Sequence, residues 1–504
     1  MLSSTHTVAF AGIHVLKVEI EVQITNGLPA FTIVGLADKA IAESRERVRA
    51  ALHSLGLSLP AAHITVNLAP ADVVKEGTHY DLPISIALMG AMGVVPPEEI
   101  HRFVMMGELG LDGSIRSVSG VLPAAIAANR YEFGFICPAG QGAEALWSGN
   151  PVIYEPDSLL SLLNHLKGRQ TLPKPVEASV ETSPILPDMA DVKGQESAKR
   201  ALEIAAVGGH NVLMVGPPGS GKSMLAARLP SILPPMTQQE ILEVSQIHSI
   251  AGLIHDGQLV TTRPFRSPHH SASTPAMVGG GIKAKPGEIS LAHRGVLFLD
   301  ELPEFNRQTL EALRQPIETG VVSVARANMH VTYPARFQFV AAMNPCKCGY
   351  LGVAGHECSR APRCAEEYQA RISGPMLDRI DIQIEVPLIQ PWEMGNQKSG
   401  ENSATIRKRV EQARAFATDR FQTLKIHNNA EADGSTLEKI APMTSEAEQF
   451  LMEAAQKMML SGRGYHRMIR VARTIADLDN ADILTSQHIA EALSFYRSAK
   501  FRKD

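Results

Sequence analysis

The sequence contains few cysteines, no long apolar run and no basic leader segment. Its 504 residues include only five cysteines, unevenly placed, which excludes a disulfide scaffold. The uncharged stretch from 82 to 97 is shorter than the roughly 20 apolar residues of a membrane span, and proline and glycine interrupt it. No basic segment followed by an apolar one opens the chain. We therefore expect a cytoplasmic protein that does not contact membranes.

The sequence also lacks a large excess of either charge. Its 48 Lys and Arg residues oppose 52 Asp and Glu residues, for a net charge of −4. This balance excludes a surface that is basic all over, as in many nucleic-acid-binding proteins, but it allows a local basic site. A hydrophobic content of 44% and a charged content of 20% exclude disordered, collagen-like and rod-like chains.

The pattern along the chain divides it into four parts. Residues 1–171 alternate strand-like and helical runs, which predicts an α/β or α+β domain. Residues 172–190 are rich in proline and serine and predict a linker, and residues 191–395 carry phosphate-binding motifs. Residues 396–504 have helical periodicity. The predicted helices in this last part are Ser403–Phe421, Ser445–Leu460, Tyr465–Asp479 and Ser486–Ser498.

A glycine-rich segment matches the phosphate-binding pattern G-x-x-x-x-G-K-[ST] at every fixed position. It follows an apolar run, 212–215, that predicts a buried parallel strand, and it precedes a helical segment. In this motif backbone N–H groups and a helix N-terminus face the phosphates, the lysine neutralises them and the hydroxyl binds Mg²⁺. We therefore predict a site for ATP and Mg²⁺. Its residues are Gly216, Pro217, Pro218, Gly219, Ser220, Gly221, Lys222 and Ser223.

Two later apolar runs end in side chains suited to hydrolysis. The run 296–299 ends at Asp300 and Glu301, which predicts a Mg²⁺ contact through water for the first and activation of the attacking water by the second. The run 337–343 ends at Asn344, whose amide would lie beside the γ-phosphate and orient that water. This strand end resembles sensor 1 of AAA+ ATPases.

Two arginine-containing segments also resemble AAA+ motifs. Residues 373–381 are similar to the arginine-finger segment, with Arg379 as the candidate and Arg371 as the alternative. Residues 461–470 are similar to the start of the sensor-2 helix, where Arg463 fits best. A finger acts on a neighbouring subunit's nucleotide, so the resemblance implies a ring, usually a hexamer. A salt-bridged structural arginine at 379 and a solvated basic face at 463–470 are the alternatives.

Longer strings narrow the resemblance to one family. RPFRSPHHSASTPAMVGGG from Arg263 and NGLPAFTIVGLADKAIAESRERVRAAL from Asn26 resemble the magnesium-chelatase-like AAA+ proteins, most closely the ComM/YifB family. The match covers nearly the whole chain. It implies an α/β fold: a P-loop AAA+ core with a parallel sheet and flanking helices, an N-terminal Lon-protease-like α+β domain and a C-terminal helical lid.

The same resemblance implies a DNA-dependent activity. Members are expected to be hexameric ATPases that bind branched or single-stranded DNA and drive branch migration during natural transformation and recombination. A chelatase-type ATPase that remodels proteins or inserts a metal, without moving along DNA, is the alternative. The chelatase subunit is expected to lack the Lon-like domain, which disfavours this alternative.

Two inserts of this class would face DNA. Residues 263–285 contain four cations and no acidic residue, and the second insert is a hairpin at 320–333. Clustered cations of this kind bind phosphates, and a ring multiplies them. Rigid loops that support the ATP site or the subunit contacts are the alternative. The candidate DNA contacts are Arg263, Arg266, Lys283, Lys285 and Arg326.

The first domain resembles the Lon protease domain without its catalytic pair. Aligning residues 75–81 with the family's nucleophile segment places His79 at the serine, and counting onward places Leu122 at the activating lysine. A Ser–Lys dyad needs both a hydroxyl and an amine. We therefore predict no peptidase activity and a structural or surface role for His79, which disfavours a third hypothesis, an ATP-dependent protease.

A cysteine-rich insert occupies residues 346–364. Four thiols in a cytosolic protein fit a tetrahedral Zn²⁺ site, because thiolates are favoured zinc ligands. His356 could replace one of them, and reduced cysteines in a loop are the alternative. The candidate ligands are Cys346, Cys348, Cys358 and Cys364.

Overall fold

The computed structural model describes residues 1–177, 186–280, 285–326, 329–351, 358–389, 400–424 and 426–496. Two large sheets lie within these ranges, one before residue 160 and one after residue 210, together with three two-stranded pairs. Within the described ranges, no helix is both long and apolar enough to cross a bilayer.

The first sheet has seven strands in the order β3-β4-β2-β1-β5-β8-β9 and mixes parallel with antiparallel pairs. One face of the long strand β2 buries Val18, Ile20 and Val22 against helix α2, every residue of which is buried. The strands of this domain, of which β6 and β7 form a separate pair, are β1 (Leu2–Ala11), β2 (His14–Thr25), β3 (Ala30–Val34), β4 (His63–Ala69), β5 (Phe103–Met105), β6 (Glu108–Leu109), β7 (Ile115–Arg116), β8 (Gly134–Ile136) and β9 (Ile153–Tyr154). The helices are α1 (Lys39–Ser54), α2 (Asp81–Ala91), α3 (Pro97–Ile100), α4 (Val121–Arg130), α5 (Gly142–Leu146) and α6 (Leu159–Leu166).

The second sheet is parallel throughout and has the order β11-β14-β17-β10-β18. Its three inner strands β10, β14 and β17 are buried along their whole length, because helices cover both faces. This confirms the predicted α/β class with a parallel sheet. The strands of this part of the chain, of which β12–β13 and β15–β16 form separate antiparallel pairs, are β10 (Val212–Val215), β11 (Phe265–Arg266), β12 (Gly279–Gly280), β13 (Lys285–Pro286), β14 (Val296–Leu299), β15 (Val321–Arg326), β16 (Met329–Pro334), β17 (Gln338–Met343) and β18 (Ile382–Glu385).

Helices surround this sheet and continue to the end of the described chain. Around the sheet they are α7 (Glu196–Gly208), α8 (Lys222–Ile232), α9 (Gln238–Ala251), α10 (Thr274–Val278), α11 (Glu288–Leu291), α12 (Arg307–Ala312), α13 (Arg314–Thr319), α14 (Arg363–Gln369) and α15 (Gly374–Leu377). The later helices span Ser403–Leu424, Gly434–Ile440, Ser445–Lys457, Gly462–Leu478 and Ser486–Ser494. Single 3₁₀ turns span Met189–Asp191, Leu302–Glu304 and Asn429–Glu431. The helical pattern predicted after residue 396 therefore corresponds to real helices.

The two halves touch where α4 packs on α9. The backbone N–H of Gly120 donates to the carbonyl of Ser249 at 2.9 Å. The Ser249 hydroxyl donates to the buried Glu144 carboxylate at 2.5 Å, and the indole N–H of Trp147 donates to the Gly257 carbonyl at 3.2 Å. These bonds join the first domain to the part of the chain that forms the second sheet.

A second contact uses the hairpin β15–β16. Val331 and Tyr333 are buried, and Ile13 of the first domain packs against them. Gly12 has a φ of +70°, and a Cβ there would lie 2.4 Å from the Thr332 carbonyl oxygen, so only glycine fits. The second strand of this hairpin, which the sequence predicts to face DNA, therefore packs on the first domain.

Candidate functional site

The glycine-rich loop lies at the carboxyl end of β10 and leads directly into α8. Gly219 and Gly221 have φ values of +78° and +90°, which L side chains rarely adopt. Gly216 is required for a different reason, since a Cβ there would lie 2.2 Å from the Val386 carbonyl oxygen. The strand, loop and helix predicted around this motif are therefore present.

Lys222 is held at the mouth of the loop. Its Nζ donates to the carbonyls of Gly216 and Pro217 at 2.7 and 2.8 Å and to Oδ1 of Asn344 at 3.3 Å. Burial lowers the pKa of Lys222, while Asp300 and Glu301 act in the opposite direction. The lysine and the predicted sensor-1 asparagine therefore meet at one point.

Ser223 and Asp300 form the second contact of the site. The Ser223 hydroxyl donates to Oδ2 of Asp300 at 2.6 Å, and the backbone N–H of Glu301 donates to Oδ1 at 2.9 Å. A hydroxyl and a carboxylate are the oxygen ligands that Mg²⁺ takes beside nucleotide phosphates. The pair fits the predicted Mg²⁺ ligand set.

The sequence analysis missed a histidine beside the predicted base. Glu301 has a φ of +51°, and its Oε2 lies 3.4 Å from Nδ1 of His270. The rings of His269 and His270 have centroids 4.0 Å apart. The sequence signal for this contact was a His-His pair just after β11. Since β11 and β14 are neighbouring parallel strands, residues that follow them lie at the same edge of the sheet.

The predicted finger and sensor-2 arginines line a separate cleft of about 1000 Å³. Residues that immediately precede strands β10, β14, β17 and β18 also line it, so the cleft lies at the amino edge of the sheet. The glycine-rich loop is at the opposite edge, and a four-residue strand spans roughly 13 Å. Arg379 and Arg463 therefore lie together, but away from the phosphate loop of their own chain.

The three candidate arginines differ in their partners. Arg379 pairs with Glu318, donates to the Pro375 carbonyl and is 11% exposed. The Arg463 side chain is 68% exposed, with Asp378 at 3.7 Å. Arg371, the alternative finger, pairs at 3.0 Å with Glu304, which follows the Asp300-Glu301 pair. Arg371 thus lies on the phosphate-loop side of the sheet.

Two other arginines of the 461–470 segment are structural. Arg467 is 5% exposed, donates to the Ile380 carbonyl at 2.6 Å and stacks over Tyr496 at 4.9 Å. Arg470 donates to the Ala430 carbonyl at 3.0 Å and lies 3.5 Å from Asp381. A continuous solvated basic face is therefore absent from the described part of this helix.

The candidate DNA contacts are placed very differently from one another. Arg263 is 11% exposed and bonded to Glu240 at 3.2 Å and to the Pro234 carbonyl at 2.7 Å. Arg266 forms a two-pronged pair with Glu288 at 2.6 and 2.7 Å. Both guanidinium groups are engaged within the subunit, which favours the alternative of rigid supporting loops for these two residues. Lys285 is exposed, and Lys283 and the Arg326 side chain lie outside the described part of the chain.

The protease-like positions contain buried structural residues. His79 is 5% exposed, its Nε2 lies 2.9 Å from the Val8 carbonyl, and its ring packs on Tyr80 with centroids 4.3 Å apart. Leu122 is fully buried, and its backbone N–H donates to Glu144 at 3.0 Å. Neither position carries the nucleophile or the amine of a Ser–Lys dyad.

The four candidate zinc ligands are brought together. The Sγ atoms of Cys346, Cys348, Cys358 and Cys364 all lie within 4.8 Å of one another. Zn–S bonds of about 2.3 Å in a tetrahedron would separate the sulfurs by about 3.8 Å, so the four thiols fit the ion. A backbone hydrogen bond involving Tyr350 is the main cause that lowers the pKa of Cys348 to about 7. The alternative ligand His356 lies outside the described residues.

Comparison with known families covers nearly the whole chain. The family described as "Magnesium chelatase, subunit ChlI" matches residues 188–394, and its C-terminal part matches residues 400–497. The family described as "Subunit ChlI of Mg-chelatase" matches residues 20–141. Part of the first domain therefore matches a family model whose description names Mg-chelatase.

Individual relatives extend this picture. The uncharacterized protein YifB of Escherichia coli is 43% identical over 98% of this chain and 97% of its own. The competence protein ComM of Haemophilus influenzae is 42% identical over 98% of this chain and 97% of its own. The magnesium-chelatase 38 kDa subunit of Rhodobacter capsulatus is 26% identical over 66% of this chain and 92% of its own. The chain therefore belongs to the ComM/YifB family of magnesium-chelatase-like proteins.

Proposed function

We propose that this protein is an ATP-driven DNA motor, a hexameric ring that migrates DNA branches during natural transformation and recombination. The observation that carries the ATPase part is the joining of Lys222 to Asn344 and of Ser223 to Asp300 at one sheet edge. Family membership supports ATP and Mg²⁺ as the cofactors.

Each side chain of this edge has a separate task. Lys222 neutralises the phosphates, and Ser223 and Asp300 would hold Mg²⁺, which when bound would supply further positive charge beside the phosphates. Glu301 accepts the proton of the attacking water, and Asn344 orients that water. His270, at 3.4 Å from Glu301, positions the carboxylate.

The ring part of the proposal rests on the arginine cleft. Arg379 and Arg463 line the amino edge of the sheet, so neither reaches the phosphates bound at the opposite edge of the same chain. Stacking the amino edge of one subunit on the carboxyl edge of the next would bring both arginines to that neighbour's nucleotide. Such a head-to-tail contact closes into a ring.

The DNA part rests on kinship and on exposed charge. A relative of nearly equal length carries the name competence protein. Lys285 is exposed at the end of the basic insert, and the hairpin β15–β16 belongs to the same core. A ring repeats these cations around its axis, where they would bind the DNA backbone.

A chelatase-type remodelling ATPase is the second candidate. The match of residues 20–141 to a family model described as a subunit of Mg-chelatase favours it. Peptidase activity is not proposed, since His79 and Leu122 occupy the dyad positions. The four-cysteine cluster is proposed to bind Zn²⁺ under either function.

An ATPase and branch-migration assay separates the two functions. Purified protein is given ATP, Mg²⁺ and a labelled three-strand or four-way DNA junction, and both phosphate release and strand products are measured. We expect DNA to stimulate ATP hydrolysis and branch migration to convert the junction into product strands. Lys222→Ala should be inactive in both assays. Hydrolysis that is indifferent to DNA, with no product strands, would favour remodelling instead.

A further inference from the structure

The cysteine cluster lies against the phosphate loop. Gly349, within the turn that carries Cys346 and Cys348, has a φ of +87°. A Cβ on Gly349 would lie 2.7 Å from both Cδ and Cγ of Pro218, so the glycine backbone packs directly on that ring of the phosphate loop. The same Cβ would lie 3.9 Å from Cγ of Asn344. The turn therefore touches two elements of the nucleotide site.

The cluster joins two pieces of chain. The first two thiols belong to the turn that follows Asn344, and this turn is closed by the bond from the Gly349 N–H to the Cys346 carbonyl at 2.9 Å. The last two belong to the segment at the start of α14, where the Cys364 N–H donates to the Arg360 carbonyl at 3.0 Å. An ion bound to all four sulfurs would cross-link the turn to α14.

A cross-link of this kind changes the freedom of the turn. Bound zinc holds its ligands in a fixed tetrahedron, whereas four separate thiols are free to change rotamer and spacing. Because Gly349 packs on Pro218, movement of the turn removes support from the phosphate loop. Preorganised loops bind more tightly, since less ordering remains to be done on binding.

We propose that Zn²⁺ at Cys346, Cys348, Cys358 and Cys364 acts through Gly349 and Pro218 as a metal-dependent control of nucleotide affinity. The inference rests on the proposed nucleotide site. Thermodynamic reciprocity requires that the nucleotide raise the affinity for zinc by the same factor by which zinc raises the affinity for the nucleotide.

Reciprocal titration tests this on the full-length protein. The Kd of a fluorescent ADP analogue is measured with the zinc-loaded and the chelator-stripped protein, and the zinc Kd is measured with a chromophoric competitor with and without ADP. We expect both constants to change by the same factor, about tenfold, within the usual range of coupling. Equal nucleotide affinities with and without zinc, or less than one equivalent of bound zinc, would overturn the proposal.

Two pairs of variants locate the coupling. Cys348→Ser should lose zinc and weaken nucleotide binding, while Cys137→Ser, which removes a buried thiol of the first domain, should do neither. Gly349→Ala should keep zinc but weaken nucleotide binding. Gly168→Ala is its control, because Gly168 also has a positive φ, +66°, but nothing lies near its added Cβ.

The outcomes distinguish this proposal from the proposed function. If the zinc-loaded protein binds no nucleotide at all, the ATPase assignment fails. If the nucleotide binds tightly and equally in all zinc states, only the coupling fails. If Gly168→Ala weakens nucleotide binding as much as Gly349→Ala does, the effect is general backbone strain. The packing of Gly349 on Pro218 would then not be the route by which zinc affects nucleotide binding.

Discussion

At the residue scale, the carboxyl edge of the parallel sheet collects predicted functional side chains from the ends of three strands. Lys222 and Ser223 follow β10, Asp300 follows β14, and Asn344 follows β17. Each stands after an apolar run, so the sequence predicts its place at this edge. His270 could not be predicted in the same way, because its contact with Glu301 joins two loops that are distant in sequence.

Replacing His270 tests its positioning role. His270→Ala should lower kcat for ATP hydrolysis by about tenfold, since a misplaced base loses part of its catalytic contribution. The nucleotide Kd should change little, because His270 contacts the carboxylate of Glu301. Both are measured by steady-state hydrolysis and equilibrium binding. His269→Ala is the matched control, and an equal loss of kcat in both variants would argue against a specific contact.

Replacing Ser223 tests the predicted Mg²⁺ ligand. Ser223→Ala removes the hydroxyl that lies 2.6 Å from Asp300 and should raise the Mg²⁺ concentration needed for half-maximal hydrolysis by about tenfold or more. A Mg²⁺ titration of phosphate release measures this shift. Ser220→Ala, in the same loop, serves as the control. An unchanged Mg²⁺ requirement in Ser223→Ala would remove this residue from the ligand set.

At the element scale, the hydrophobic periodicity of the sequence predicts where the helices lie better than it predicts which residues they contact. The predicted helix 445–460 is found as Ser445–Lys457 and the predicted helix 465–479 as Gly462–Leu478. The solvated basic face, which was the alternative for residues 463–470, is absent from the described part of the second helix, because packing buries Arg467 between Tyr496 and the Ile380 carbonyl. Such burial depends on chain segments that meet only in the folded protein.

The contact between α4 and α9 provides a stability test. Ser249→Ala leaves the Glu144 carboxylate, whose pKa burial already raises, without its serine partner. We expect a loss of about 1–3 kcal/mol in the free energy of unfolding, the usual cost of a buried group that loses a bond. Urea unfolding followed by fluorescence measures it, and Trp147 lies at this contact.

A serine whose hydroxyl bonds within its own helix, away from the contact between the domains, provides the control for this variant. Ser54→Ala removes a hydroxyl that bonds only one turn back, to the Ala51 carbonyl within α1. It should cost clearly less than Ser249→Ala. Equal losses in the two variants would mean that the contact between the domains contributes no more than an ordinary helix-end bond.

At the scale of the whole molecule, buried neutral histidines limit stability in acid. Burial is the main cause that lowers the pKa of both His6 and His293 to about 4, with His101 and Lys17 adding to it at His6 and Arg294 at His293. Between pH 6.5 and 4 the unfolded chain therefore binds protons that the folded chain does not. Stability should fall as the pH drops through this window and stay level above it.

Replacing His6 isolates one share of this loss. Both of its ring nitrogens lack a hydrogen-bond partner among the described residues. Between pH 7 and 5, the free energy of unfolding of His6→Phe should fall by about 2 kcal/mol less than that of the parent protein. This difference follows from the size of the pKa shift. Urea unfolding at the two pH values measures it. His14→Phe, at an exposed position, is the control and should keep the parent's pH dependence.

The arrangement of active sites between subunits can be tested by mixing two inactive variants. Lys222→Ala lacks a working phosphate loop but keeps Arg379, whereas Arg379→Ala keeps the loop and lacks the arginine. If Arg379 serves a neighbour's nucleotide, an equal mixture forms complete sites wherever the loop of one variant meets the arginine of the other. Random assembly in a ring makes about one quarter of the interfaces complete, so hydrolysis should return to about that fraction of the parent rate.

The variants are mixed under conditions that allow subunit exchange, and Glu318→Ala tests the pairing partner of Arg379 in parallel. A mixture as inactive as its components, with subunit exchange verified by labelling, would return Arg379 to a structural role beside Glu318 and would remove the main support for a head-to-tail ring.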